Sequence, residues 1–571
     1  NCDDITWFHH GDSREIDQAE QEQIESHNIE NLNGLSWNCN GTLPHPTGKS
    51  EKDTSTIKPE YLDSFQTPIS SCLAFIPIVL WETMVFESNK YAEQQIIKRG
   101  EQKICGATWS GAILLREMMT FFGILIHMAL SPTPGRTYSY AWKHPDRHPY
   151  AKAMPLRRFQ QIRAVIHLND NEEESETNDS LHKVRYLLNT LKCTLGMYLD
   201  VGRELALDEA IVTNRSSYGR QLIFYNPTKN CGKYHFRFYL ICCATTYACL
   251  RLRMHTKDVS DLADGPNILG DDVNLTDNAC GTEDLDDSNN ATDVASATEV
   301  TDEHIENENL STISKLVLDM ARPLQRKGHV INMDNYYTSP IAFIHLIKKG
   351  IFARGTARTN RRHFPKPVIF TKQEAKNKPR GSIKVAVNDR FKMTAVGWLD
   401  GNPVHMLSTA DGTENGSVTR RIGGQQQPVR APVIVKHYNN SMQAVDRHDQ
   451  LRALFSLCKR HGFKKYYVKI ILALIDIALT NAAIHYFLAN PADDGKRKDD
   501  ARADFLESIA NAMIDPSTMW TSYSSNQATT SLKTIWTKRQ TAKAMKFYKP
   551  SWEWCQRQCH VPRLPALKVA K

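Results

Sequence analysis

Apolar residues change their period along this chain, and the changes divide it. From about Tyr61 to Leu199 they recur at helical spacing. Ile113, Leu114, Met118, Phe121, Phe122 and Leu125 form one stripe behind a Trp109-Ser110 cap, and Pro132 and Pro134-Gly135 stop it. A second helix follows Pro155, with Phe159, Ile162 and Ile166 on one face and Asn169-Asp170-Asn171 as its exit. After Arg203 the period falls to two. Leu205 and Leu207 alternate into Asp208, and Phe236, Phe238 and Leu240 alternate within a run reaching Cys249, as neighbouring strands do. Helical spacing returns with Ile313, Leu316, Val317 and Met320. The strand Val330–Met333 ends in Asp334, and Ile341–Ile347 reads as a short helix stopped by Lys348-Lys349-Gly350. Short strands then crowd together: Ile383/Val385/Val387, Lys392–Trp398 and, across the turn Asp400-Gly401-Asn402-Pro403, Val404–Leu407. Pro432–Val435 reads as a strand, Ser441 as a cap and Val445–Leu457 as a helix. Lys464–Leu488 is a longer helix with Ile470, Leu474, Ile477, Ala478 and Ile484 on one side.

These periods predict an α/β protein. A polar arm without periodicity occupies 1–60 and a helical region 61–200. A strand-bearing core is assembled from 201–257, 310–366 and 432–458. It is interrupted by a non-periodic acidic insertion at 258–309 and a small β-rich insertion at 367–431, and is followed by a helical region at 459–530 and a tail at 531–571. Tyr466–Leu488 is long enough to cross a bilayer, but Lys469, Asp476, Asn481 and His485 interrupt it. An acid near its middle costs roughly 2.5–3.5 kcal/mol to insert, so it reads as a buried helix. Thirteen Cys scattered from Cys2 to Cys559 suggest reduced thiols, not a disulfide framework. The chain opens at Asn1, which leaves a preceding targeting segment open.

Charge sharpens the picture. The net charge of +8 hides a partition: Asp258–Glu308 holds sixteen acids and no Lys or Arg, so the rest carries 71 basic against 47 acidic residues, a net of +24. Lys348–Arg380 has eleven basic residues against Glu374 alone, and Lys533–Lys571 has ten against Glu553 alone. The second stretch interleaves Trp536, Phe547, Tyr548, Trp552 and Trp554, a mixture suited to stacking on bases while neutralising phosphates. A polyanion is the partner this charge predicts.

Three acids stand where the chain changes element: Asp208, Asp334 and Asp446. Carboxylates brought together from separate segments offer hard oxygen ligands to Mg²⁺ or Mn²⁺, and a pair of such ions serves phosphodiester chemistry. Taken alone the triad is a weak pattern, since Asp446 or Asp449 could simply complement a helix N-terminus.

The surrounding words are more specific. Leu207-Asp208-Glu209, then Gly219-Arg220, Tyr225-Asn226-Pro227, Lys229 and Gly232-Lys233, resemble the first catalytic block of piggyBac-family DDE transposases. Met333–Pro340 with Gly355-Thr356, Arg358, Asn360 and Arg361-Arg362 resembles the second. Val396–Asp400, Val404–Thr409, Tyr438-Asn439-Asn440 and Val445–Gln450 follow in the family's order, so that the similarity spans about Leu62 to Ala489. The resemblance implies an RNase H-like core split by a β-rich insertion, with flanking helical segments that dimerise and bind DNA. By motif match Asp208, Asp334 and Asp446 would ligate two metal ions, with Asp449 as an accessory acid. The implied partners are transposon inverted-repeat ends and TTAA targets in double-stranded DNA, acted on in the nucleus by a homodimer without a membrane. Lys229, Lys233, Arg358, Arg361, Arg362, Lys464 and Lys465 are the expected phosphate contacts. Two features depart from the family: the position of the acidic insertion, and the C-terminal zinc module of many members. Only Cys555, Cys559 and His560 stand in its place, too few for a closed zinc site. The competing readings are a DNA-binding relative that has lost the chemistry, and an RNA-acting nuclease on a related core.

Overall fold

The computed structural model describes residues 35, 37–39, 41–44, 55–170, 179–214, 218–228, 232–256, 310–491 and 498–515. The polar arm up to residue 34, the acidic insertion, Lys229 and the basic aromatic tail with Cys555, Cys559 and His560 lie outside them. In chain order the elements are helices α1 (Pro68–Phe75), α2 (Ile78–Arg99), α3 (Leu115–Leu130), α4 (Leu156–Val165) and α5 (His182–Thr194). Strands β1 (Glu204–Thr213), β2 (Phe224–Tyr225), β3 (Tyr234–Cys243) and β4 (Cys249–Met254) follow. Then come α6 (Thr312–Ala321), β5 (Val330–Met333), α7 (Pro340–Lys348), β6 (Phe352–Thr356), β7 (Ile383–Asn388), β8 (Met393–Leu399) and β9 (Pro403–Ser408). The chain continues with β10 (Asn415–Ile422), β11 (Gln425–Pro432), α8 (Val433–Ser441), α9 (Ala444–Leu454), α10 (Leu457–Arg460), α11 (Tyr466–Ala489) and α12 (Lys498–Ile514). The described residues form two compact units, the first from 52–261 and 441–571, the second from 1–51 and 262–440.

In the first unit β1 and β3 pair antiparallel along their length, from Leu205↔Cys243 to Thr213↔His235, and β2 and β4 also pair with β3. Helix α11 is the pillar of this unit and packs against α1, α5, α9 and α10. Most of its apolar residues are buried, and Asp476, Asn481 and His485 each have a backbone partner. The Asp476 carboxylate accepts the N–H groups of Leu457 (2.8 Å) and Cys458 (3.1 Å), capping α10, and the Ser456 hydroxyl at 2.6 Å. Asn481 grips the edge of β4, accepting from Cys249 N (2.9 Å) and donating to Cys249 O (2.6 Å). The His485 ring is buried among Phe65, Phe75 and Tyr198, with Nδ1 2.8 Å from Asn481 O. These bonds account for polar residues inside a helix that is otherwise apolar enough to span a bilayer.

In the second unit the sheet order is β7-β8-β9-β6-β5. β5 and β6 are parallel, joined through α7, and the other pairs are antiparallel, so the sheet is mixed. Strands β7–β9 therefore extend the sheet that carries Asp334 instead of standing as a separate module. Among the described residues of this unit, the hairpin β10–β11 alone makes its own ladder.

A buried ion pair ties the second unit together. Arg354 of β6 is fully buried and donates to both oxygens of Asp411, at 2.6 and 2.9 Å, and to Asn332 of β5 at 3.0 Å. Asp411 also accepts from Ser408 Oγ (2.6 Å) and His437 Nδ1 (2.7 Å), and its carbonyl accepts from Thr394 Oγ1 (3.0 Å). Four strands and a helix thus converge on one charge pair.

The structure corrects four readings. Asp208 is the fifth residue of a ten-residue strand, not its terminus, because the Leu205/Leu207 alternation continues through Ala210 and Val212. Helix α3 begins at Leu115. Ser110 bonds to Gln161 (2.9 Å), and the Glu117 carboxylate, held by Arg158, accepts the Leu114 N–H at 3.0 Å. Val433–Val435 opens helix α8, since Ile434, Val435 and Tyr438 pack at helical spacing on the Trp398 cluster and burial overrides β-branched propensity. The helix expected to reach Leu457 stops at Leu454, because the Asp476 cap starts α10 at Leu457.

Removing Asp411 leaves Arg354 charged, buried and unpaired. Asp411→Ala should lower stability by roughly 3–5 kcal/mol, read as a fall in the urea midpoint. Arg354 and His437 hold the Asp411 pKa well below the usual carboxylate range against the effect of burial. Its contribution is present above the unfolded pKa near about 3.9 and is lost as pH falls below it. Asp411→Asn should therefore remove about one proton from the acid-unfolding slope.

Candidate active site

Each expected acid sits on backbone held by a strand, a helix or a hydrogen-bonded turn. Asp208 is half-buried in the middle of β1, opposite Leu240 of β3, and its Oδ1 accepts the Glu209 N–H at 2.8 Å. Helix α9 packs across β1 and β3 and carries Asp446 in its first turn and Asp449 one turn later. Asp446 is exposed and Asp449 half-buried. Burial raises the Asp449 pKa, the Arg452 guanidinium at 3.1 Å opposes that rise, and the negative charge of Asp446 adds to it. Arg452 also reaches Ile211 O at 3.5 Å, tying α9 to β1.

Between the two acids His448 is fully buried. Its Nδ1 lies 2.9 Å from the carbonyl of Tyr247, which can only accept, so the proton is on Nδ1. Burial pushes the imidazole pKa down to about 3, so His448 is neutral at ordinary pH and brings no cation to the acids. It anchors α9 to the β3–β4 turn, where Tyr247 has a left-handed backbone (φ 63°).

In the second unit Asp334 follows β5 and opens a tight turn. Its Oδ1 accepts the Tyr336 N–H (2.8 Å), and its carbonyl accepts Thr338 N (3.1 Å) and Thr338 Oγ1 (2.9 Å). Arg361 donates to the carbonyls of Asn335 (2.9 Å) and Tyr336 (2.7 Å), and Arg358 to Asn335 Oδ1 (3.1 Å), so two expected phosphate contacts brace the acid's turn. Burial lowers the Arg361 pKa, and the Asp334 charge works against that shift. Gly355 of β6, in register with Met333, lies under the turn. A Cβ there would strike Thr338 Oγ1 and come within 2.6 Å of Met333 O.

The other expected cations divide by placement. Lys233, Arg358, Arg362 and Lys464 are exposed. Lys465 is turned inward, with Nζ 2.6 Å from Ala164 O and 4.0 Å from the Tyr91 ring centroid, and burial pushes its pKa down to about 8. Arg452, His448 and the Arg354–Asp411 pair support the acids and were not read from the sequence. Arg452 had a local signal, since it stands three residues after Asp449 on one helix.

Within each unit, no group of three or more His, Cys, Asp or Glu side chains among the described residues is gathered as a metal site. Each acid taken singly has chemistry that suits the metal the sequence suggests. Asp208, Asp334, Asp446 and Asp449 offer only hard carboxylate oxygens, which suit Mg²⁺ or Mn²⁺, and the mutual repulsion of Asp446 and Asp449 is of the kind a divalent cation relieves.

Comparison with known proteins gives two findings. Residues 68–276 and 293–483, well over half of the chain, match the family described as Transposase IS4. The fold is similar to a piggyBac transposase solved by cryo-electron microscopy in a synaptic complex with hairpin DNA. The TM-score is 0.60 at 16% identity, over 81% of this chain and 83% of that one. The α/β class with an RNase H-like mixed-sheet core is thereby shown.

The close fit at Gly355 makes it a sensitive reporter of the Asp334 turn. Gly355→Ala should displace Thr338 and cost roughly 1–3 kcal/mol of stability by overpacking, measured by thermal unfolding.

Proposed function

Because the chain belongs to the Transposase IS4 family, we propose that it is a cut-and-paste DNA transposase, or a host-adopted relative that keeps the cutting chemistry. Asp208, Asp334 and Asp446 are its metal ligands and Asp449 its accessory acid. The observation that carries this reading is the setting of Asp446 and Asp449 on a helix packed across the strand that holds Asp208. The substrate class is double-stranded DNA ending in inverted repeats, with TTAA as target and a homodimer in the nucleus as the working form. The likeness to a transposase captured on hairpin DNA supports hairpinned ends as intermediates.

When bound, two Mg²⁺ or Mn²⁺ ions supply Lewis acidity to the attacking and leaving oxygens of the phosphodiester. The chain's own contribution is placement and charge. The β1 ladder fixes the backbone of Asp208, and the turn braced by Arg358 and Arg361 fixes that of Asp334. Arg452 opposes the rise that burial gives the Asp449 pKa. The exposed Lys233, Arg358, Arg362 and Lys464 hold the phosphate backbone, as Lys229 would. Water attacks first, freeing a 3′-hydroxyl, and that hydroxyl then attacks the target strand.

Asp208→Asn and Asp334→Asn should each reduce nicking of duplex ends in Mg²⁺ or Mn²⁺ by roughly two orders of magnitude or more, while salt-sensitive DNA binding persists. Equal nicking by wild type and both variants would remove these acids from the chemistry. Binding without cleavage by all three would favour a relative that kept only DNA recognition.

A further inference from the structure

The hairpin β10–β11 stands apart from the sheet ladders, and its two faces differ in chemistry. Side chains alternate between faces along a strand. Val418, Ile422, Val429 and Ala431 face inward and pack on the cluster of Val396, Trp398 and Met406. Arg420 also points inward, paired with Asp400 at 2.9 Å and lying over the Trp398 ring. The opposite face is exposed and carries the cross-strand pairs Ser417↔Arg430, Thr419↔Pro428 and Arg421↔Gln426.

Residues 415–432 include three arginines and no acid. Neither Arg421 nor Arg430 has a carboxylate partner among the described residues. Arg421 bonds only to the carbonyl of Gly424 at 3.2 Å, within the hairpin itself. The tip is Gly423-Gly424, with φ of 58° and 87°, a two-residue turn that leaves the end of the ribbon free of side chains. Pro428 lacks an N–H, which disfavours strand addition along β11 and so a peptide partner that docks by extending the hairpin.

We propose that the outer face of β10–β11 seats in the major groove of double-stranded DNA, with Arg421 and Gln426 reading base edges and Arg430 contacting the phosphate backbone. The dimensions match. Strands about 4.8 Å apart form a ribbon narrow enough for a groove about 12 Å wide. Outward side chains two residues apart advance about 6.8 Å, the rise of roughly two base pairs at about 3.4 Å each. Arginine is suited to bidentate bonding with guanine and glutamine with adenine, and these two stand directly opposite each other near the tip. This assignment rests on the DNA-acting reading above and adds which segment selects the sequence.

The test uses the full chain, a duplex DNA library with a randomised centre, and anisotropy titrations over a series of salt concentrations. The double variant Arg421→Ala/Arg430→Ala should bind the duplex roughly 10–100-fold more weakly, with a salt slope lower by about one from the lost phosphate contact of Arg430. Gln426→Ala should keep the wild-type slope and relax the selected sequence at one position. Both arginines are exposed, so an unchanged melting temperature would show that the fold is intact. Unchanged affinity and slope in the double variant would overturn the assignment. Equal competition by duplex RNA would also overturn it, since the deep, narrow major groove of that helix excludes a ribbon. If the double variant binds weakly but wild type nicks no DNA, the ribbon assignment stands and the cleavage reading falls. If wild type nicks and the double variant binds normally, the reverse holds.

Discussion

The second unit depends on one buried charge pair. Arg354 and Asp411 are fully excluded from water, and taking two ions out of water costs several kcal/mol each before their attraction and hydrogen bonds offset it. The offset here comes from a nearly closed donor–acceptor set: Asn332 from β5, Ser408 from β9, Thr394 from β8 and His437 from α8. Such a set exists in one strand register only. A one-residue slip of β6 would turn Arg354 to the other face and strand Asp411. Asn332 lies two residues before Asp334, so the interaction that fixes the sheet also fixes the strand that delivers the acid.

The first unit solves a similar problem with single hydrogen bonds. Two polar side chains inside α11 each supply a partner to backbone of a neighbouring element: Asp476 to the first N–H groups of α10, Asn481 to Cys249 on β4. The cost shows at Asp476, whose pKa burial raises to about 6 although three donors pull the other way. Helix α9 packs on α11 as well as on β1 and β3. The chain of constraint runs from core helix to α9, and from α9 to Asp446 and Asp449.

Elements with strong period were legible in the sequence. Val330–Met333 is a strand with its expected limits, and Lys464–Leu488 differs from α11 by two residues at its start. Asp208 aside, where the local alternation simply runs on, the misreadings share a cause, which is that a distant partner decides the local outcome. The Asp476 cap that starts α10 lies 19 residues further along, on another helix, and α8 is helical because of the Trp398 cluster. The partner of Arg354 is 57 residues further along the chain, so a charged residue in a buried strand could not be recognised as paired. Lys465 shows the same limit for function. Its charge was legible, but the direction of its side chain was decided by Ala164 and Tyr91.

The cations around Asp334 show why charge alone is a poor guide to role. A guanidinium has five N–H donors in a fixed plane. Arg361 spends two contacts on the carbonyls of Asn335 and Tyr336, and Arg358 spends one on Asn335. Those bonds hold the turn whose first residue is the acid, so both residues act on Asp334 through the backbone whether or not a phosphate is present. Arg358 is exposed and keeps donors for a second partner, whereas Arg361 is half-buried and its Nε is buried without a bond among the described residues. A buried, unbonded donor costs free energy. Thr338 closes the same turn from its far side and leaves no room at Gly355 for a methyl group. The turn is thus held by guanidinium hydrogen bonds and by close packing, while the Tyr336 N–H holds the carboxylate itself.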